Sequence, residues 1–443
     1  MNSAKQQVSC QELELGMYVA ELDRPWLETP FLFQGFEIKT REEIEELKRF
    51  CQFVYVDPLQ SNIAIEPAAK PATRIETGWV PRFDTKDHLR PDLIDTEEES
   101  DNARLEFEVL KKQVQPEVDQ AYADRTDLLE EIERIRDAHE FVQALIPALM
   151  EDARMGRAIK TDAARKAIGA MTSSIIRNPD ALMCFTQLKH KDAYTAEHSV
   201  RVSVLALAFG RHLGLAREEL EALGLGALLH DIGKTRVPTE VLIKPDGLTE
   251  NETRLMRQHV AYGVQILEST DIPAAAIDVV AQHHERYDGL GYARGLKGDQ
   301  ISQFGMIGAM SDFYDALTSD RPYKNSAASH KVLRDMYKFR GSLFEPDLVE
   351  RFIQCIGIYP IGSVVELSNG EIGVVQTINR LRRLKPSIAM ALHADHSPYT
   401  KRVTIDLVDA ASLHGRTIEV VRVHDPETFG INPAYYLPIH RAA

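Results

Sequence analysis

Cysteine is scarce in this chain: four in 443 residues, at Cys10, Cys51, Cys184 and Cys355, scattered and without a C-x-x-C pair. That excludes a disulfide framework and a thiolate zinc clip. Long apolar runs are also missing. None approaches the roughly 18 to 20 residues that a spanning helix requires, so no membrane span is expected. The opening MNSAKQQVSCQELEL has no apolar core of the signal-peptide kind, which leaves the cytoplasm as the expected address. Positive charge is in deficit: 52 basic against 67 acidic residues give a formal net charge of −15. General attraction to a nucleic-acid backbone is therefore excluded. A phosphate-bearing ligand would need metal ions or a few well-placed Lys and Arg side chains.

What is present divides along the chain. LELGMYVAELDRPWLETPFLFQGFEI has short apolar and aromatic runs broken by Gly and Pro, the pattern of strands. Thr40 with Glu43 forms a capping box ahead of Ile44, Leu47 and Cys51 at helical spacing, and FVYV at 53–56 reads as a further strand. A small α+β domain is expected over 1–60. Residues 61–101, rich in Pro, Thr and Asp and ending in an acidic run, read as a linker. The amphipathic pattern of 102–138, interrupted by Pro116, reads as a helical stalk, either a helical pair for signalling or for a homodimer, or a stalk packed on the next domain. Helical periodicity dominates 139–358. From 359 to 443 the pattern shifts to strands, with a hairpin signal at Asn369-Gly370 inside VVELSNGEIGVVQTI, then KRVTIDLV and TIEVVRV. The expectation is a multidomain chain, mainly α-helical, with a small α+β domain in front and a small β-rich module behind.

The chemistry concentrates in the helical part. His230-Asp231 stands where the apolar helix of GALLHDIGK runs out at Gly233, and imidazole and carboxylate can both ligate a metal. His198 lies in DAYTAEHSVRV. His259 shares a helical face with Met256, Gly263 and Ile266 and should point inward. His283 and His284 project about 100° apart on a helix and could approach a metal pair from different angles. Asp312 sits in an apolar helix where a lone buried carboxylate would be costly. Five histidines and two aspartates, without cysteine, suit catalytic iron, manganese or zinc rather than a structural zinc site. Lys234 can place a point charge on a phosphate oxygen. Arg294, Lys297, Arg321 and Lys324 form a basic rim on an acidic chain.

The segments DAYTAEHSVRV, LLHDIGKTRVP, QHVAYGVQIL, VVAQHHERYDGLGYARGLKGDQIS and MSDFYDALTSDRPYK, in that order over about 185–340, resemble the HD-GYP proteins, cyclic di-GMP phosphodiesterases of bacterial signalling. GMYVAELDRPWLETPFLFQGFEI resembles a small domain of unknown function often fused ahead of them. The resemblance implies an HD-superfamily bundle and metal ligation by His198, His230, Asp231, His259, His283, His284 and Asp312, with Asp231 bridging. It implies catalytic assistance by Asp231 and Lys234, and substrate contacts from Lys234, Tyr292, Arg321 and Lys324. The implied reaction opens cyclic di-GMP to pGpG, GMP or both, with two divalent ions, iron or manganese. Two departures stand out. The signature Gly-Tyr-Pro reads Gly291-Tyr292-Ala293, which bears on loop rigidity and on any signalling partner contacted there. Tyr194 stands where three-metal members carry a glutamate, which favours two metals. The alternatives are a cyclic dinucleotide sensor or scaffold without turnover, an HD phosphohydrolase acting on another nucleotide, or an interaction protein working through its N-terminal part.

Overall fold

The computed structural model describes residues 6–10, 13–22, 36–51, 53–56, 61, 122–159, 161–188, 194–244, 247–319, 327–409 and 418–440. The chain divides into two compact units, Met1–Thr77 and Gly78–Ala443. In the first, β1 (Gln6–Ser9), β2 (Tyr18–Leu22), β3 (Phe36–Glu37) and β4 (Phe53–Val56) form an antiparallel sheet in the order β1-β4-β2-β3. Helix α1 (Arg41–Phe50) starts at the expected capping box: Thr40 Oγ1 accepts from the Glu43 amide at 3.3 Å, and Glu43 accepts from the Thr40 amide at 2.9 Å. Ile44 and Leu47 bury against Val19, Ile38, Val54 and Val56, the apolar face that makes so small a unit a domain.

The second unit is mainly helical. Helix α2 (Leu128–Arg154) is followed by α3 (Thr161–Arg177), α4 (Pro179–Phe185), α5 (Tyr194–His212) and α6 (Arg217–Leu229). A 3-10 turn (Ile232–Arg236) leads to α7 (Thr239–Leu242), α8 (Glu250–Leu267), α9 (Ala274–Gln282), α10 (Gln303–Thr318), α11 (Ser329–Lys338) and α12 (Pro346–Ile356). The expected boundary at 138 and 139 falls within α2. Its Ile132, Ile135, Val142 and Ile146 enter one continuous core with α5, so this part of the expected stalk is packed on the bundle, with most of its charges on the outer face. Residues 102–121, with Pro116, lie outside the described residues. Helices α5 and α10 are apolar on nearly every side because both run through the middle of the bundle: Val200 to Phe209 and Gly305 to Ala316 are buried almost without interruption. Ionisable groups on these two helices are therefore placed away from water.

The C-terminal strands β5 (Val364–Leu367), β6 (Ile372–Thr377), β7 (Ser387–Leu392), β8 (Thr404–Asp406) and β9 (Val420–His424) form an antiparallel sheet in the order β8-β7-β6-β5-β9. The β5–β6 hairpin turns at Asn369-Gly370, where Gly370 takes φ +84°. The sheet is docked on the bundle: Ile361, Ile378, Leu437 and Ile439 share the helical core, and the buried Asp180 of α4 accepts from the Ile378 amide at 3.2 Å. No helix among the described residues is long and apolar enough to cross a membrane.

One buried titratable group lets the pH behaviour of the bundle be stated. His139 on α2 is 4% exposed and stacks on Phe185 at 4.6 Å. Burial, and then the charges of Arg136 and Arg201, lower its pKa from the ordinary 6.5 to about 4. The fold thus favours the neutral imidazole. Its contribution is complete above pH 6.5 and is lost as pH falls toward 4, by about 3 kcal/mol. A His139→Gln variant, unfolded with denaturant at a series of pH values, should lose that much less between pH 7 and 4 than the wild type. An identical pH dependence would contradict the assignment.

Candidate metal centre

The chain brings its seven predicted ligands together from five places. His198 comes from the first turns of α5, His230 caps α6, Asp231 follows it, His259 lies mid-way along α8, His283 and His284 end α9, and Asp312 lies in α10. All seven are at most 5% exposed. The convergence depends on small residues at close approaches. Gly233 is the clearest: a Cβ there would lie 1.9 Å from the His259 carbonyl oxygen and 2.4 Å from the Gly263 nitrogen, so only glycine lets the turn after Asp231 lie against α8.

Four of the imidazoles are oriented the same way. Nδ1 of His230, His259 and His283 contacts the carbonyl oxygen three residues earlier, at 2.7 Å (Ala227), 2.7 Å (Met256) and 2.9 Å (Val280). A carbonyl can only accept, so each Nδ1 carries the proton and each Nε2 keeps its lone pair. His198 does the same through a carboxylate, its Nδ1 lying 2.8 Å from Asp315 Oδ2. The Nε2 atoms converge. His198 Nε2 is 3.2 Å from Asp312 Oδ1, His230 Nε2 is 3.9 Å from the same oxygen, and His259 Nε2 is 3.3 Å from His283 Nε2.

Asp231 stands between two groups of donors. Its Oδ2 faces His230 at 3.3 Å and His198 at 4.0 Å, whereas its Oδ1 faces His259 at 3.5 Å and His283 at 4.0 Å. The ligating atoms of His198, His230 and Asp312 lie within 4.8 Å of one another, and so do those of His259, His283 and His284. Burial opposes the Asp231 charge, but Lys234, His230 and His259 outweigh it and hold the carboxyl well below the usual range. Burial also lowers His259 to about 4 and His283 well below 6.5, keeping both neutral and able to ligate. At His230 the carboxylates of Asp231 and Asp312 overcome burial and raise the pKa. His230 Nε2 and Asp231 Oδ1 are buried with no hydrogen-bond partner. Orphaned acceptors in a centre of nitrogen and carboxylate donors without thiolate are what a divalent cation would satisfy.

Around the ligands lie residues that sequence reasoning missed. Asp315 holds His198 and is held in turn by Arg201, whose Nε is 2.7 Å from Asp315 Oδ1; Arg201 also reaches Glu197 at 3.2 Å. Arg201 and, less strongly, His198 outweigh burial and keep the Asp315 carboxyl below its usual range. These partners lie three residues after His198 and three after Asp312, on the same helical faces, and that spacing is the signal that could have found them. An Asp315→Asn variant should bind metal about 10- to 100-fold more weakly with unchanged helix content, because the ring of His198 loses its anionic orienter. Chelator competition reads this, and wild-type affinity would contradict it.

Lys234 is 2% exposed, with Nζ 2.5 Å from Asp231 Oδ2, inside the centre rather than at its edge. Tyr292 stacks on His284 at 4.6 Å, and the guanidinium of Arg257 lies 4.8 Å over the Tyr292 ring, a contact no sequence pattern announced. The loop carrying Tyr292 is tied down by Glu285, which accepts from the amides of Arg294 at 2.7 Å and Leu296 at 2.9 Å. The side chains of Arg294 and Lys297 are exposed. Arg321 and Lys324 lie outside the described residues.

A family model described as an HD domain matches residues 183–348, the span that contains all seven candidate ligands. A second, described as a Domain of unknown function (DUF3391), matches residues 5–164. A cyclic di-GMP phosphodiesterase of Pseudomonas aeruginosa is 32% identical over 421 residues, 94% of this chain and 92% of that protein. The chain belongs to the HD-GYP phosphodiesterase family. A cyclic di-GMP phosphodiesterase of Thermotoga maritima is 36% identical over 168 residues, 38% of this HD-GYP chain and 46% of that protein. A 3'3'-cGAMP-specific phosphodiesterase of Vibrio cholerae is 35% identical over 162 residues, 36% of this chain and 31% of that one. The HD-GYP assignment accounts for the multidomain, mainly helical fold and for the divalent-metal character of the donor set.

Proposed function

We propose that this HD-GYP chain hydrolyses cyclic di-GMP to pGpG, GMP or both, at a centre holding two divalent ions, iron or manganese. The observation that carries the reading is the position of Asp231, whose two carboxylate oxygens face two adjoining groups of buried donors. His198, His230 and Asp312 would hold one ion, His259, His283 and His284 the other, and Asp231 would join them. When bound, such a pair activates water near neutral pH and neutralises charge on a phosphodiester. The protein's own share is orientation. The carbonyls behind His230, His259 and His283, and Asp315 behind His198, fix each ring before substrate arrives. Lys234 supplies a buried positive charge beside Asp231, where negative charge grows in the transition state. Tyr292, stacked on His284 beside the centre, would contact the substrate, while phosphate contacts by Arg321 and Lys324 rest on the sequence motif alone. Ala293, exposed beside Tyr292, leaves the loop accessible to a signalling partner.

The test is side-by-side incubation of the metal-loaded chain with cyclic di-GMP, 3'3'-cGAMP and a guanosine polyphosphate, followed by chromatography. The expected result is fastest conversion of cyclic di-GMP to a linear product. Faster conversion of 3'3'-cGAMP would move the substrate to that of the Vibrio relative. Preference for the polyphosphate, or tight binding of cyclic di-GMP without turnover, would overturn the reading.

A further inference from the structure

The end of α5 remote from His198 carries a second concentration of charge that the metal centre does not use. Arg211 and His212 close α5, and thirteen residues of helix put them about 20 Å from His198. They line a small depression, open to solvent at its mouth, where the bundle meets the C-terminal sheet; Asp180, Gln354, Arg380 and Arg383 complete its polar lining. The charges there do not balance. Arg380 bonds to Asp180, and to Asp124 at 2.6 Å, and Arg211 shares Asp124 at 2.7 Å. Two carboxylates thus answer two guanidinium groups, and among the described residues no carboxylate bonds to Arg383. Its Nε and Nη1 are shielded from solvent with no hydrogen-bond partner, and Nε of Arg211 is in the same condition. Three N–H donors on two arginines, desolvated and unsatisfied at one depression, are costly unless an acceptor arrives.

We propose that this depression binds a phosphate group, as inorganic phosphate or as the terminal monoester of a nucleotide. The planar fork of Arg383, with the Nε of Arg211 beside it, suits an oxyanion that accepts from several directions at once. His212 supports a dianion in particular. Burial and the surrounding charges of Arg383, Arg380, Arg351 and Arg211 keep its pKa down at about 4, so it is neutral while these guanidinium groups outweigh Asp180 and Asp124. An arriving dianion would reverse that field and let His212 take up a proton, so that Arg383 and His212 together match its charge. The site is separate from the metal centre and does not depend on the substrate proposed above.

The experiment is calorimetric titration of inorganic phosphate, and separately of GMP, into the metal-loaded full chain and its Arg383→Gln variant. Phosphate held by the metals binds both proteins alike, so the difference between them isolates the depression. Arg383 is half-exposed and its orphaned nitrogens hold nothing in place, so the variant should fold and turn over substrate at the wild-type rate in phosphate-free buffer. We expect binding with a Kd at least tenfold weaker in the variant for phosphate and GMP alike. Weakening for GMP alone would confine the ligand to the nucleotide monoester. A His212→Gln variant, which keeps every arginine, should weaken binding and abolish the proton uptake seen when titrations in buffers of different ionisation enthalpy are compared. Equal affinities for wild type and Arg383→Gln with both ligands would overturn the proposal, as would a binding isotherm that chloride reproduces.

Discussion

An Asp231→Ala variant should lose both bound ions together and turn over cyclic di-GMP at least a thousandfold more slowly than the wild type. The magnitude follows from position. Each oxygen of Asp231 faces one of the two donor groups, so a single truncation removes a ligand from both. Metal clamping of a phosphodiester supplies several kcal/mol, and each 1.4 kcal/mol is a factor of ten. The same truncation leaves Lys234, 2% exposed, without the carboxylate it contacts at 2.5 Å. Asp231→Asn keeps the volume and a polar partner for Lys234, and separates the two effects. It should show the same loss of metal and turnover with a smaller loss of stability. Elemental analysis, steady-state rates and thermal unfolding of the three proteins read all of this, and a variant retaining near-wild-type turnover would refute the site.

The second large effect is expected at a residue with no side chain. Gly233→Ala would drive a Cβ to 1.9 Å from the His259 carbonyl oxygen, 2.4 Å from the Gly263 nitrogen and 2.8 Å from the His259 carbonyl carbon. All three obstacles are backbone atoms, so no rotamer change relieves the clash. Either the turn behind Asp231 lifts or α8 moves away, and each movement separates Asp231 from His259. The expected cost is roughly 2–4 kcal/mol of stability, with metal affinity falling in parallel because ligand placement and packing are the same event here. Denaturant unfolding with and without metal measures both. A variant with native stability and full metal content would show that the close approach is not needed.

The residues that converge at the candidate centre were legible because residue type is local and burial is announced by apolar neighbours. His198, Asp312 and the pair His230-Asp231 each stand in helices apolar enough to be buried, and His259 follows from the face it shares with Met256, Gly263 and Ile266. The capping box at Thr40 and the hairpin at Asn369-Gly370 were legible for the same reason, being set by contacts a few residues apart. Long-range pairing carries no such mark. Nothing local tells that β9 returns to β5, that the sheet docks on Asp180, or that Arg257 comes to rest over Tyr292. Lys234 shows the limit within the site itself. Its charge and spacing pointed to a phosphate, but only the fold shows that it first neutralises Asp231.

The most direct measurement of the central claim is the number of metal ions per chain in protein purified without oxygen, wild type beside Asp231→Asn. Two ions per wild-type chain, and none in the variant, is the predicted result. One ion per wild-type chain, or a variant that keeps one of two, would contradict a shared centre built on the two oxygens of Asp231.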